Sequence, residues 1–448
     1  MNGIGFAASL FRSSCPRIRL RLPGAASIET VMAIFGVPID FILFALMLTA
    51  VAVFHHHTLR VSLFGLAAIV LYKLAFTGFK SGSGIVGLVT HLGHEWVILA
   101  NLLLLLMGFA LLSDHFQSSH LPELLPKFLP DDWKGGFVLL TIVWILSSFL
   151  DNIAGALIGG AMAHQLYCGK VHIAFIAAIV AASNAGGAWS VVGDTTTTMM
   201  WIAGVSPAVV FEAIVPASIA LVIFGIPAAI RQQGHAPIVK SSQHRPHVDW
   251  RRVGIVAFIL LLAIGTNVVV NLRFPEAANH FPFIGAAVWL AMLVSVPVRA
   301  PKWSLLPRSF RGSVFLLALV LAASLMPVEN LPAASWPTTF GLGFLSAIFD
   351  NIPLTALALK QGGYDWGFLA YSVGFGGSMI WFGSSSGVAL CNMYPEARSV
   401  GRWVRESWWL MPAYAVSFLA MLALWGWHPD APAARAQATP QMEATEPR

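Results

Sequence analysis

Charge is what this sequence lacks. Only 10% of its 448 residues are Asp, Glu, Lys or Arg, while 57% are hydrophobic; soluble domains carry about a quarter charged residues. Such a chain has too little charge to cover itself with a water-compatible surface, which excludes a soluble domain of useful size. Cysteine is scarce as well. Cys15, Cys168 and Cys391 are scattered, which excludes a disulfide framework and a thiolate metal site. What the sequence has instead is a succession of apolar runs near the length of a spanning helix. The net charge of +6 is no sign of nucleic-acid binding. The Lys and Arg residues sit in short loops between apolar runs, as in loops retained on the cytoplasmic side of a membrane. The expectation is an all-α polytopic (multi-pass) protein of the cell inner membrane, with the lipid bilayer as its partner and no nucleic acid.

Residues 1–29 form an N-terminal extension bearing Arg12, Arg17, Arg19 and Arg21, with no convincing signal-peptide cleavage site. The expectation is that it is disordered, or untranslated because the chain starts at Met32. A first repeat occupies 30–230. It has plain spans near 30–54, 61–79 and 93–113, then a region at 135–166 interrupted by Asp151-Asn152. A second interrupted region, 171–201, contains Asn184-Ala-Gly-Gly and Gly193-Asp194, and a plain span near 208–230 follows. A basic cytoplasmic loop, 231–252, carries Arg231, Lys240, Arg245, Arg251 and Arg252. The second repeat, 253–427, follows the same order: plain spans near 253–272, 282–298 and 313–328, Asp350-Asn351 within 339–360, Gly376-Gly377 and Gly383-Ser-Ser-Ser within 366–394, and a plain span near 406–427. Residues 428–448 read as a disordered tail.

The two halves agree in motif as well as in order. Gly-Gly stands at 186 and at 376, and a glycine follows seven positions later in each, Gly193 and Gly383. If each Asp-Asn region is a re-entrant hairpin, each half crosses the bilayer about five times, and the odd number inverts the second half. Placing 231–252 inside also puts Arg60, Lys170, the loop 299–312 (Arg299, Lys302, Arg308, Arg311) and 395–405 (Arg398, Arg402, Arg405) inside. It leaves 328–338, without Lys or Arg, outside. The Arg-rich N-terminus is the exception, accounted for by a start at Met32 or else by an extra early crossing or a different hairpin assignment.

Irregular backbone at membrane depth is tolerated where it lines a cavity or is buried in protein. The helix-break glycines Gly186, Gly187, Gly193, Gly376, Gly377 and Gly383 therefore mark a site. Opened helices expose carbonyls for cations and amides for anions. Within the breaks lie Asp151, Asp194 and Asp350, costly residues in a span that usually serve an ion or proton path. They equally suit N-caps of half-helices, and the two roles are compatible. Asn152, Asn184 and Asn351 are neutral ligands or caps. Thr195 to Thr198 and Ser384 to Ser386 offer hydroxyls for an ion or a substrate, or bonds to their own backbone. Asp40, Lys73 and Glu212 lie in plain spans, where Lys73 and Glu212 are candidates to pair or to snorkel. His55-His56-His57 reads as an interfacial tract. Gly383-Ser-Ser-Ser-Gly387 matches the G-x-S-x-G pattern, but no histidine lies in the following span to activate a serine.

The segment Ser183-Asn-Ala-Gly-Gly-Ala-Trp-Ser-Val-Val-Gly-Asp-Thr-Thr-Thr-Thr-Met-Met-Trp201 resembles the signature of NhaD-type sodium/proton antiporters. Ser148-Phe-Leu-Asp-Asn152 and Phe349-Asp-Asn-Ile-Pro-Leu-Thr-Ala356 resemble its partner motifs. The wider group is the ion transporter superfamily, which includes citrate transporter-like proteins. The resemblance implies an inverted repeat, each half with a re-entrant hairpin and a broken helix. It further implies a site in two parts: Asp151, Asn152, Asn184, Asp194, Thr195 and Thr196 in one, Asp350, Asn351, Ser384 and Ser385 in the other. Ser384 stands where Asp194 does, so the two parts differ in charge. The paired Ser-Asn-Thr motifs of dicarboxylate carriers are missing. The expected function is sodium/proton antiport, with sodium held by Asp151, Asp194 and Asp350. Sodium ion and proton are cargo, and no cofactor is expected. The alternative is coupled transport of citrate-like carboxylates or oxyanions, which makes the ligand a small organic anion. A homodimer is a further partner expectation, and enzyme activity is not expected.

Overall fold

In a computed structural model, the structure describes residues 33–34, 37–54, 57–80, 82–121, 129–239, 247–274, 277 and 280–429. The expectations for the N-terminal extension and Met32, for Cys15, His55, His56, Lys240 and Arg245, and for the tail beyond 429 lie outside the described residues. Apart from paired two-residue strands at Ala33–Ile34 (β1) and Val37–Pro38 (β2), the described secondary structure is almost wholly helical. The first half holds Ile39–Val53 (α1), Thr58–Tyr72 (α2, prolonged by a π-helical turn Lys73–Thr77) and Gly84–Gln117 (α3). Then come Trp133–Ser147 (α4), Asn152–Leu166 (α5), Ile173–Ala188 (α6), Thr195–Ile202 (α7), Pro207–Phe211 (α8) and Ile214–His235 (α9). The second half holds Trp250–Arg273 (α10), Phe283–Ser295 (α11), Leu306–Ser324 (α12), Trp336–Ser346 (α13) and Asn351–Gln361 (α14). It ends with Trp366–Gly376 (α15), Ser385–Met393 (α16), Val400–Glu406 (α17) and Leu410–Trp425 (α18).

Among the described residues, five segments are long and apolar enough to cross a membrane unaided: Thr58–Thr77, Gly84–Gln117, Pro207–His235, Trp250–Val270 and Trp303–Ser324. Three expected plain spans are not single long helices among the described residues; that at 30–54 holds a helix of only 15 residues, α1. The span at 282–298 is only the 13-residue α11; Val296 after it keeps helical angles, but Pro297 has no N–H to continue the hydrogen-bond ladder. The span at 406–427 is bent by 58° between α17 and α18. Pro412 lies in the first turn of α18, where its missing N–H costs nothing, but a helix continued from α17 would set its ring against the Trp408 carbonyl.

The helices run between two ends defined by cross-connections. At one end the Asp249 N–H donates to Ser119 O, Val239 N–H to Leu166 O, and the Gln232 side chain bridges His172 N–H and Lys170 O. Arg299 reaches Asp249 at 2.9 Å, and Arg231 pairs with Glu406. This end collects the basic loops. At the other end Lys80 pairs with Glu329 at 2.9 Å, and Lys360 and Gln361 donate to carbonyls of Met326 and Pro332. The α3 helix, 34 residues long and so about 50 Å, connects the two ends.

Both interrupted regions before the glycine pairs are hairpins. Gln233 donates to Asp131 O as Val239 does to Leu166 O, so α4 begins and α5 ends together at the basic end. For α13 and α14, Gln361 reaches Pro332 at the far end. Every residue of α6 and of α15 is buried, and these two helices pack on each other at the centre.

Candidate functional site

The breaks repeat in backbone geometry. Asp151 and Asp350 precede α5 and α14 with φ, ψ of −54°, 141° and −52°, 142°. Asp194 and Ser384 precede α7 and α16 with −144°, 147° and −141°, 152°. The glycines repeat too. A Cβ on Gly186 would lie 2.1 Å from Trp144 O, and one on Gly376 would lie 2.1 Å from Gly343 O. Both sit in the last turn of a central helix, laid directly on the backbone of the hairpin's first arm. Gly193 and Gly383 likewise lie against Ser147 O and Ala347 O, 2.5 and 2.6 Å from a would-be Cβ. None of these has positive φ. Their function is close approach, which an added methyl group would block.

The breaks also cross-connect. The first hairpin's inner arm, α5, packs against α16, and the second's, α14, packs against α7. Asn184 on α6 is the hub. Its Nδ2 donates to Ser378 Oγ and Ser384 Oγ, both at 3.0 Å, and its Oδ1 accepts from Asn152 Nδ2 at 3.3 Å and Ser386 Oγ at 2.6 Å. That uses both donors and both lone-pair positions of the carboxamide. Ser183 Oγ donates to Asn152 O. From the other side, Asn351 Nδ2 donates to Asp194 Oδ2 at 3.1 Å.

Three of the expected residues, Asp194, Asp350 and Ser384, cap the helices that follow them. Asp194 Oδ1 accepts from Thr196 N–H at 3.3 Å, Asp350 Oδ1 from Ile352 N–H at 3.1 Å, and Ser384 Oγ from Gly387 N–H at 3.3 Å. The second oxygen of Asp350 accepts from Ser385 Oγ at 3.0 Å. Asp151 makes no side-chain cap bond, unlike its counterpart. Thr197 and Thr198 spend their hydroxyls on carbonyls of Ser190, Val191 and Asp194, which makes them structural. The Thr196 hydroxyl is buried near the Asp194 carboxylate without a well-formed bond.

A cavity of about 630 Å³ meets half of the expected residues; Asn152, Asn184, Thr196, Asn351 and Ser384 do not line it. Asp151, Asp194, Thr195, Asp350 and Ser385 line its inner wall, and Thr58, Gln117 and Arg308 line the part nearest the basic end. Arg308, exposed, is the single basic residue among the described lining. Among the described residues, no three His, Cys, Asp or Glu side chains converge as a metal centre would require. The three aspartates share a cavity rather than one coordination sphere.

Several partnerships escaped sequence reasoning. Lys73 pairs with Asp40 at 3.3 Å, not with Glu212. The two acids were indistinguishable in sequence, and only the packing of α2 on α1 decides. Ser378 was missed as a partner of Asn184; its sole signal is a serine just past Gly376-Gly377. In the G-x-S-x-G stretch, the side-chain partners of Ser384, Ser385 and Ser386 are Asn184, Asp350 and one another, none of them a histidine.

No protein-family model matches the chain. It is 26% identical to sodium/proton antiporter 1 of Arabidopsis thaliana, over 74% of this chain and 60% of that relative. It is 27% identical to sodium/proton antiporter 2 of the same plant, over 64% of this chain and 73% of the relative. Against the Na⁺/H⁺ antiporter NhaD of Vibrio parahaemolyticus it is 27% identical, over 58% of this chain and 72% of the relative. The chain thus spans about three fifths of the first relative and nearly three quarters of the other two. It is a helical multi-pass membrane protein, similar in sequence to sodium/proton antiporters that include the NhaD type.

Proposed function

We propose that the chain exchanges sodium ions for protons across a bacterial-type inner membrane, with the basic end cytoplasmic. The observation that carries this reading is the cavity lining: four aspartates, Asp151, Asp194 and Asp350 on the inner wall and Asp114 nearer the basic end, against Arg308 as the only described basic residue. Carboxylates in a partly dehydrated cavity attract a monovalent cation or a proton and disfavour an anion. Neutral oxygens of Thr195 and Ser385, on the same wall, suit a sodium ion stripped of part of its water. A carboxylate that holds either Na⁺ or H⁺, but not both, couples the two flows when the site is presented to each side in turn. The names of the relatives support the same cargo. Membership of the wider citrate transporter-like superfamily, as an inverted repeat, is supported by the matched break geometry and by hairpins whose ends lie at opposite ends of the molecule.

A second reading, coupled transport of a citrate-like carboxylate or an oxyanion, is favoured by one feature. The N-termini of α5, α7, α14 and α16 all border the cavity, and helix N-termini carry partial positive charge. The test is flux in proteoliposomes carrying a pH gradient, with Na⁺, Li⁺ or citrate added. Antiport predicts proton movement on addition of Na⁺ and its loss in Asp194→Asn. Citrate uptake without cation-driven proton movement would replace the first reading by the second.

A further inference from the structure

A second cavity, of about 510 Å³, approaches the site from the far end. His94, Glu95, His280 and Lys360 line it, and it deepens along α3, α7, α12 and α14 to Asn101, Met199, Val320 and Ala356. Lys360 donates to Met326 O at 2.7 Å and to Ser324 O, which ties the end of α14 to the end of α12. The two cavities follow one seam. On α3 the stripe His94, Ile98 and Asn101 faces the far cavity, and its continuation, Leu105, Phe109 and Ser113, faces the site cavity. Spacings of three and four keep these residues on one helix face. On α7 the site cavity reaches Thr195 and Thr198 while the far cavity reaches Met199 and Ile202. On α12 the boundary falls between Leu319 and Val320. On three helices, then, adjacent residues border opposite cavities: 101 and 102, 198 and 199, 319 and 320.

We propose that Leu102, Met199, Leu319 and Val320 form an apolar septum, about one side chain thick, that seals the ion site from a far-side vestibule through which cargo leaves or arrives. The four side chains belong to one packed cluster and are 0%, 2%, 0% and 5% exposed, so no water file crosses it. An ion must shed its water to pass such a constriction, and apolar constrictions close pores by dewetting. The septum makes a tight exchanger of two cavities that otherwise nearly meet. It also assigns a transport role to buried leucines and a methionine that look like ordinary core. The proposal rests on the transporter reading but not on the identity of the cargo.

The test uses the full chain in proteoliposomes with no exchange substrate on the opposite side. Passive efflux of radioactive sodium and decay of a pH gradient are followed for Leu319→Ser and Met199→Ser. Leu139→Ser on α4 is equally buried but off the seam, and serves as the packing control. The septum variants are expected to leak about tenfold faster than the parent, the control no faster. Folded septum variants as tight as the parent would overturn the proposal. Should the serine variants fail to fold, Val320→Cys and Leu319→Cys, with the native cysteines replaced, are challenged with an impermeant thiol reagent from the far side. Reaction at 320 alone supports the septum, whereas reaction at both positions or neither overturns it. A parent that performs no sodium/proton exchange while its septum variants leak would refute the antiport reading and leave the septum standing.

Discussion

Asn184 has no equivalent in the second half. Aligning Gly186 with Gly376 puts Gly374 at its position, close against Ala188 and the Asn184 carbonyl. A single carboxamide therefore joins the first hairpin tip, through Asn152, to the second break, through Ser378, Ser384 and Ser386. Asn184→Ala strands several buried polar groups at once. The expected loss is about 1–3 kcal/mol for the unsatisfied partners, read as a fall in thermal stability of the purified protein, and exchange should fall with it. Unchanged stability would mean that the four bonds are not formed together in the membrane. A surface pair gives a contrasting expectation. Glu329 is held below the ordinary glutamate range, chiefly by the hydrogen bond from Lys80 Nζ. A carboxylate with a depressed folded pKa stabilises the fold above its ordinary value, about 4.3, and loses that contribution as pH falls through the lower folded value. Both side chains are more than half exposed, so the contribution is well under about 1 kcal/mol. Lys80→Gln should lower the melting temperature slightly at pH 7, and the difference should shrink as pH falls through the folded value of Glu329.

At the scale of the elements, the glycine pairs show what sequence reading captured and what it misassigned. Gly186-Gly187 and Gly376-Gly377 mark the breaks correctly, but they act by letting α6 and α15 lie on the backbones of α4 and α13. Gly186→Ala would drive a methyl group to 2.1 Å from Trp144 O. Such overpacking against rigid backbone costs about 1–3 kcal/mol or more. Gly254→Ala in α10 meets nothing within 4 Å, and there the gain in helix propensity, about 1 kcal/mol at most, should show. Thermal unfolding of the two variants checks the contrast, and equal effects would refute the close-approach role. The hairpins, the breaks and the capping aspartates were legible because Asp-Asn and Gly-Gly stand out in apolar sequence, and because the repeat states each of them twice. The partnership of Lys73 with Asp40 and the hub at Asn184 were not legible. They depend on which helices meet, and no local pattern encodes that. The bend before α18 was signalled by Pro412 but masked by the apolar run around it.

For the molecule as a whole, the two cavities define its state. The site cavity extends to the basic end, past Thr58, Gln117 and Arg308, while the septum closes the far side. If the basic loops are cytoplasmic, this conformation admits ions from the cytoplasm. The native Cys168, exposed in the turn between α5 and α6, marks the sidedness, because that turn lies at the basic end beside Gln232. In Thr195→Cys, the new thiol lies on the half-buried cavity wall. An impermeant thiol reagent should modify Cys168 and position 195 from the same face of the membrane, and Na⁺ should slow the reaction at position 195 but not at Cys168. Modification of the two from opposite faces would mean that the site opens away from the basic loops. Equal protection of both by Na⁺ would mean that the ion acts by closing the whole molecule rather than by occupying the aspartate cavity. Differential protection is what an ion bound beside Asp194 and Thr195 requires, because it shields only the thiol that shares its cavity.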